Sequence, residues 1–201
     1  FSSGNYIVRQ NTVGTPVDIF ASLSDPYSLD IYENWDLNFK EYGIRATGLR
    51  NYTIPVNGVP ASFNQYDIGL NTFHSYGTHD GSTEHCAVLL SNAGGNPDMP
   101  THARFYLNSA FLNDRVNGFV VNSQNRWQLT DNYVQFDIAG GDSERRKSGL
   151  KLSGAHDNYL YGCVVYDNSA EEKLNAFSVE QSQSNRFCCN YMSGTDRGAY
   201  F

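Results

Sequence analysis

The densest set of titratable side chains in this 201-residue chain runs from His74 to His85. His74, His79, Asp80, Glu84 and His85 bring three imidazoles and two carboxylates into one loop. Such groups exchange protons near neutral pH, so the set points to acid–base chemistry, with metal ligation second. The spacing is no zinc or iron motif, and Gly77 and Gly81 loosen the loop. Farther on, Asp142 and Glu180 add carboxylates, and Arg115 and Lys151 add cations. Two carboxylates flanking a glycosidic bond hydrolyse it, and Asp80, Glu84, Asp142 and Glu180 are the candidates. A lyase or epimerase instead needs a base beside an acidic sugar and a cation to neutralise its carboxylate. His79, His85, Arg115 and Lys151 have the types for that. Sugars also need rings to stack on and amides or cations for their hydroxyls, and Tyr159, Trp127, Asn122, His79 and Arg115 are candidates. A lone pairing of Lys151 with Glu180 also reads as a plain surface ion pair between neighbouring strands.

Composition narrows the setting. Lys and Arg number 14 against 21 Asp and Glu, a net charge of −7, and no basic stripe is present to neutralise phosphates. Nucleic-acid binding is not expected. No apolar run reaches the roughly 20 residues that span a bilayer, so no membrane partner is expected. Charged residues are 17 % and aromatics 14 %, with 18 Gly, which argues against helical bundles and for short strands with tight turns. No cofactor is expected, and calcium has no motif to hold it. The chain begins at Phe1 without Met or a signal peptide, so it reads as processed or as part of a longer chain.

Positioning of these residues rests on a weak internal repeat. Gly43-Ile-Arg-Ala-Thr47, Cys86–Ser91, Gly118-Phe-Val-Val-Asn122, Gly149-Leu-Lys-Leu-Ser153, Ala176-Phe-Ser-Val-Glu180 and Gly198-Ala-Tyr-Phe201 fit one template, typically a small residue and then a short strand. A second template reads apolar, Asn, apolar, Asn at offsets 0, 3, 5 and 8, as in Phe105, Asn108, Ala110 and Asn113. Leu129, Asn132, Val134 and Asp137 repeat it. Leu160, Cys163, Val165 and Asn168 repeat it with Cys in an Asn slot, Phe187, Asn190 and Met192 begin it again, and Ile68, Asn71, Phe73 and Tyr76 form an earlier copy. From Phe105 the first position steps by 24, 31 and 27 residues. Period-two alternation broken at Gly or Asn predicts coils of two or three short strands that bury their inward side chains only by stacking. Asn at a fixed corner bonds the turn backbone and the next Asn along the stack. A β-sandwich with irregular strands is the alternative. The extra residues fall between the Asn template and the next small-residue strand, which predicts that all loops emerge on one side. Leu150, Leu152, Phe177 and Val179 should then point inward, with Lys151 and Glu180 exposed on one face.

The units Asn158-Tyr-Leu160-Tyr-Gly-Cys163-Val-Val165-Tyr-Asp-Asn168 and Asn185-Arg-Phe187-Cys-Cys-Asn190-Tyr-Met192 resemble the degenerate repeats of right-handed parallel β-helix proteins, the pectin-lyase-like superfamily. The resemblance covers roughly residues 40–201, and the first 40 match poorly. It implies an all-β, right-handed parallel β-helix of one domain with coils of about 22–31 residues or more. It also implies action on an acidic or heteropolymeric polysaccharide, by a glycosidase or by a lyase or epimerase, as in bacteriophage tailspikes. An extracellular, cell-surface or virion location and a polysaccharide partner follow, and the tailspike likeness brings in a homotrimer. A non-catalytic adhesin or fibre of the same shape is the alternative. Cys86, Cys163, Cys188 and Cys189 are expected as free, largely buried thiols, although neighbouring coils also permit a bridge from Cys163 to Cys188 or Cys189. The segment 198–201 is expected to stack in parallel on 176–180, with further polypeptide or a partner subunit covering that end.

Overall fold

A computed structural model describes residues 5–9, 17–20, 28–47, 55–56, 59–60, 65–76, 84–91, 102–113, 115–138, 146–169 and 174–201. Within them the chain forms 22 strands. β1 (Asn5–Arg9) and β2 (Val17–Phe20) open the stack. β3 (Ser28–Tyr32), β4 (Leu37–Phe39) and β5 (Tyr42–Thr47) make the next coil, followed by a small antiparallel pair, β6 (Pro55–Val56) and β7 (Val59–Pro60). Four coils of three strands complete the chain after β8 (Gln65–Gly69), β9 (Thr72–Ser75) and β10 (Cys86–Ser91). These are β11 (His102–Tyr106), β12 (Ser109–Leu112) and β13 (Asn117–Asn122); β14 (Trp127–Thr130), β15 (Tyr133–Phe136) and β16 (Lys147–Ser153); β17 (Tyr159–Tyr161), β18 (Val164–Asp167) and β19 (Leu174–Glu180); and β20 (Arg186–Cys188), β21 (Tyr191–Ser193) and β22 (Arg197–Tyr200).

Each coil visits three parallel sheets in turn. The first sheet runs β1-β3-β8-β11-β14-β17-β20, the second β4-β9-β12-β15-β18-β21, and the third β2-β5-β10-β13-β16-β19-β22. This is a parallel β-helix. The strands before residue 41 join the same sheets, with Ile31 over Ile68 and Leu37 over Phe73. The final strand stacks as the repeat requires, with Ala199 on Phe177 and Tyr200 on Ser178.

The core is a set of columns. On the first sheet Ile31, Ile68, Phe105, Leu129, Leu160 and Phe187 sit one above another. On the third, Phe119, Leu150 and Phe177 form one column, and Val121, Leu152 and Val179 the next. All are buried except Phe187 and Val179, which pack on the core and remain partly exposed near the last coil. The small residue that starts each third-sheet strand also has a cause. A Cβ on Gly118 would lie 2.3 Å from the Gly149 carbonyl, and one on Gly149 would lie 2.6 Å from Val165.

The corner between first and second sheets repeats most strictly. Five coils turn there with two residues, and the first of each turn has positive φ: Leu70 (57°), Leu107 (52°), Asp131 (52°), Gly162 (64°) and Cys189 (58°). The second residue is Asn71, Asn108, Asn132, Cys163 or Asn190, and Asn34 heads the row after Glu33 at φ 57°. Asn34 Nδ2 donates to Asn71 Oδ1 at 2.8 Å, Asn71 Nδ2 to Asn108 Oδ1 at 2.9 Å, and Asn108 Nδ2 to Asn132 Oδ1 at 3.1 Å. Asn71, Asn108 and Asn132 each also donate to a carbonyl of the preceding coil, as Asn108 Nδ2 does to Ile68 at 3.0 Å, whereas Asn34 donates to Tyr32 of its own coil. Cys163 takes its turn in the row. Asn132 Nδ2 lies 3.8 Å from its Sγ, and its backbone N–H donates to Asn190 Oδ1 at 2.9 Å.

Three expectations need correction. Loops do not all emerge at one turn. Segments 48–64 and 92–101 separate third-sheet strands from the next first-sheet strands, which stretches the step from Ile31 to Ile68 and from Ile68 to Phe105 to 37 residues each. Trp127 is not a surface residue: it is fully buried, with its ring stacked 6.0 Å from Tyr66 and its Nε1–H donating to Gln124 Oε1 at 3.1 Å. Buried Trp is stable once that one donor is satisfied, and Gln124 satisfies it. Cysteine is the third. Cys86 and Cys163 are buried free thiols, but Cys188 and Cys189 are exposed, at the corner of the last coil.

Asn108→Ala leaves an Asn71 amide donor and the Ile68 carbonyl without their partner, so it should cost about 2–3 kcal/mol in urea-unfolding free energy. Leu107→Gly, at the positive φ beside it, should cost little, because glycine accepts that conformation freely.

Candidate functional site

The outward columns of the third sheet carry the chemistry. One reads Arg45, Leu89, Val120, Lys151, Ser178 and Tyr200, and its neighbour Ser91, Asn122, Ser153 and Glu180. A third column, one residue before the small positions, holds Cys86, Asn117, Ser148, Asn175 and Arg197. These columns border a cleft of about 430 Å³ lined by Glu84, Asn117, Arg146, Lys147, Ser148, Lys151, Asn175, Glu180, Arg197 and Tyr200.

Lys151 stands at its centre. Its Nζ lies 2.5 Å from Glu84 Oε1 and 3.3 Å from Glu180 Oε2. Register sets Lys151 against Ser178 and Ser153 against Glu180, so the contact to Glu180 is diagonal. Ser178 Oγ donates to the other Glu180 oxygen at 3.1 Å and steadies it. Glu84 arrives from the residues entering β10 and reaches Lys151 two coils on, past Val120 of β13, which is only 4 % exposed although it points outward. Bracketed by two carboxylates, the Lys151 side chain keeps only 16 % of its surface, so it is less exposed than the sequence suggests. Burial alone would lower its pKa. The Glu84 hydrogen bond and charge, with the Glu180 charge, outweigh that and hold it above the usual lysine value.

Other cations rim the cleft. Arg146 Nη1 pairs with Asp196 Oδ2 at 2.9 Å, Lys147 is 2 % exposed, and Arg197 lies over the Tyr200 ring at 5.6 Å. The lining thus holds four cations against two carboxylates, in a chain whose net charge is −7. Asn117 Oδ1 accepts from the Ser148 N–H at 2.9 Å, whereas Asn175 Oδ1, on a residue 5 % exposed, has no hydrogen-bond partner.

The sequence-based candidates separate. Glu84, Lys151 and Glu180 come together here. His85 lies beside Glu84 but packs edge-on to Tyr42, with ring centroids 5.7 Å apart, and does not line the cleft. Arg115 is half-buried just before β13 and is likewise outside the lining. Asn122 shares the Glu180 column two coils away and is exposed. Tyr159 belongs to the first sheet, where Arg126, Gln128, Asp157, Tyr159 and Arg186 border an open groove of about 850 Å³. His79, Asp80 and Asp142 lie outside the described residues. Asn117, Ser148 and Asn175 were missed by the sequence reading, although each sits one place before Gly118, Gly149 or Ala176. Among the described residues no group of three His, Cys, Asp or Glu is placed to hold a metal. No family model matches the chain, and no curated protein or solved structure is significantly similar to it.

A lysine whose folded pKa is raised adds stability that is complete below the unfolded value of 10.5 and fades as pH rises through the higher folded value. Lys151→Met should therefore unfold at lower urea than the parent, by a constant margin from pH 7 to about 10. The margin should shrink above pH 10.5, where the unfolded chain gives up a lysine proton that the folded chain still holds. A margin unchanged at pH 11.5 would contradict the ion-pair account.

Proposed function

We propose that this chain is a pectin-lyase-like polysaccharide-active β-helix that binds an acidic glycan on its third sheet and cleaves it at Glu84 and Glu180. The carrying observation is the Glu84–Lys151–Glu180 cluster inside a cation-rich cleft on an acidic protein. With Asp196 on Arg146 counted, cations outnumber carboxylates at the cleft by four to three, against a net charge of −7 for the chain, and an anionic polymer is drawn there rather than elsewhere. Asn117, Asn175 and Ser148 supply the amides and hydroxyl that sugar hydroxyls require, and Tyr200 a ring for a sugar face.

The spacing favours one chemistry. Both carboxyl oxygens touch the same Nζ, so they lie no farther apart than the 2.5 Å and 3.3 Å contacts laid end to end. That falls short of the roughly 6.5–9.5 Å that leaves room for an inverting water, and suits the roughly 5–5.5 Å of a retaining pair. In such a reaction one carboxylate attacks the anomeric carbon and the other passes a proton to the leaving oxygen, roles open to Glu84 and Glu180 once an anionic substituent draws Lys151 away from them. Lys151 is held charged, so it suits neutralising an anionic substituent and is a poor proton-abstracting base for a lyase. Activity of this kind fits a secreted, surface or virion-borne protein, and a trimer enters only through the resemblance to tailspikes.

A second reading has its own support. Tyr159 and Tyr161 stack at 6.2 Å on the first sheet, both exposed, beside Arg186. Such a face suits glycan adhesion without cleavage. A panel of acidic polysaccharides, assayed for reducing ends and for absorbance of unsaturated uronate, separates the two. The hydrolase reading expects reducing ends without that absorbance, and Glu84→Gln or Glu180→Gln should lower the rate about 10²–10⁴-fold. Glycan binding without release of either product supports the adhesin instead.

A further inference from the structure

Cys188 and Cys189 are adjacent, both exposed, and their sulfurs lie 3.0 Å apart. Cys188 ends β20, and Cys189, at φ 58°, opens the two-residue corner that Asn190 completes. The other two thiols are withdrawn. Cys86 is fully buried, and burial with the Glu84 charge pushes its thiol far up. Cys163 is buried in the asparagine row and donates from Sγ to the Leu129 carbonyl at 3.3 Å. Oxidation is selected by exposure and by the reach of a second sulfur. Only the last pair has both.

We propose that Cys188 and Cys189 form a reversible dithiol–disulfide pair, a modification site whose co-substrate is a low-molecular-weight disulfide. One thiolate of the pair attacks one sulfur of the small disulfide, and the first small thiolate leaves. The neighbouring thiol then gives its proton to water and attacks the newly bonded cysteine sulfur, expelling the second small thiolate. The chain loses two protons and two electrons, and the small disulfide becomes two thiols. Both sulfurs are exposed and each is within reach of the other, so either one can attack first and its neighbour resolve. Adjacent Cα atoms are about 3.8 Å apart, below the roughly 4.4–6.8 Å of an unstrained bridge, so the closed form opens readily to reductants. That is the behaviour of a regulatory bond.

The pair is wired into the coil. The Cys188 carbonyl accepts from Gly162 N–H at 3.3 Å, and Asn190, next in sequence, accepts from Cys163 N–H and donates to the Leu160 carbonyl at 3.1 Å. The two cysteines also border the groove of about 230 Å³ at the last coil, with Phe187, Met192, Ala199 and Phe201. Closing the ring changes the shape of that end.

Trypsin cuts after Arg186 and Arg197, so one peptide carries both residues and neither of the other two thiols. The native chain is incubated with oxidised glutathione, alkylated and digested. The expected result is a peptide Phe187–Arg197 lighter by two hydrogen atoms and without adduct, four titratable thiols falling to two, and full recovery with dithiothreitol. Cys189→Ser should trap glutathione on Cys188 instead. A stable glutathione adduct on the parent peptide, both thiols of that peptide still free after exposure to the oxidant (four in the chain), or a bond from Cys163 to either residue would overturn the proposal. Those parent readouts do not depend on the variant folding.

Discussion

Everything else in this molecule hangs on a left-handed residue followed by asparagine at the corner between the first and second sheets. A non-glycine residue at positive φ is disfavoured, by roughly 1–2 kcal/mol when bulky. Leu70, Leu107, Asp131 and Cys189 all accept that cost. Hydrogen bonds offset it. The asparagine after each one donates to a carbonyl of the coil before and accepts from the backbone N–H of that coil's own corner residue, as Asn71 N–H to Asn108 Oδ1 at 3.2 Å illustrates. The side chain therefore does for the turn what a sheet partner does for a strand. It also fixes register. A slip of one residue would break the row and send each inward column outward.

Corners of this kind explain why so much of the fold was legible. Asn108, Asn132 and Asn190 repeat at one offset from Phe105, Leu129 and Phe187, because register forces one residue type into one place. Cys163 was legible too, as a small filler with a weak donor and acceptor on sulfur. Trp127 was misjudged because exposure was inferred from residue type, whereas a stacking partner at Tyr66 and an acceptor at Gln124 lie outside the local pattern. Segments 48–64 and 92–101 were missed as loops because a template that begins inside the first-sheet strand, at Phe105 or Leu129, is blind to the turn before that strand.

Site residues were legible only where alternation could place them. Lys151 and Glu180 are on adjacent coils and were assigned to one face by period two alone. Glu84 was a candidate by charge, but its link to Lys151 crosses two coils and has no sequence spacing to announce it. Asn117, Ser148 and Asn175 sat one place before a small residue that was read as the start of the unit. At Gly118 and Gly149 the third sheet presses against Val134 and Val165 of the second with no room for a Cβ, and Asn117 and Ser148 sit just before those glycines. The close approach that demands glycine thus runs beside the polar row at the cleft's edge.

Charge placement ties the cleft to the rest of the chain. An acidic protein repels an acidic polymer over most of its surface, and a screening length of about 8 Å at physiological ionic strength confines that repulsion to near contact. At the third sheet the balance reverses, with Arg146, Lys147, Lys151 and Arg197 facing Glu84 and Glu180. Lys151 sits where it must answer to both signs. Its charge holds the two carboxylates together, and an anionic group entering the cleft competes with them for the same ammonium. Each anionic group that Lys151 accepts loosens its hold on Glu84 and Glu180, so occupancy of the cleft and freedom of the two carboxylates are physically coupled. On the proposed reading, Lys151 keeps both carboxylates paired while the cleft is empty and releases them when an anionic glycan fills it.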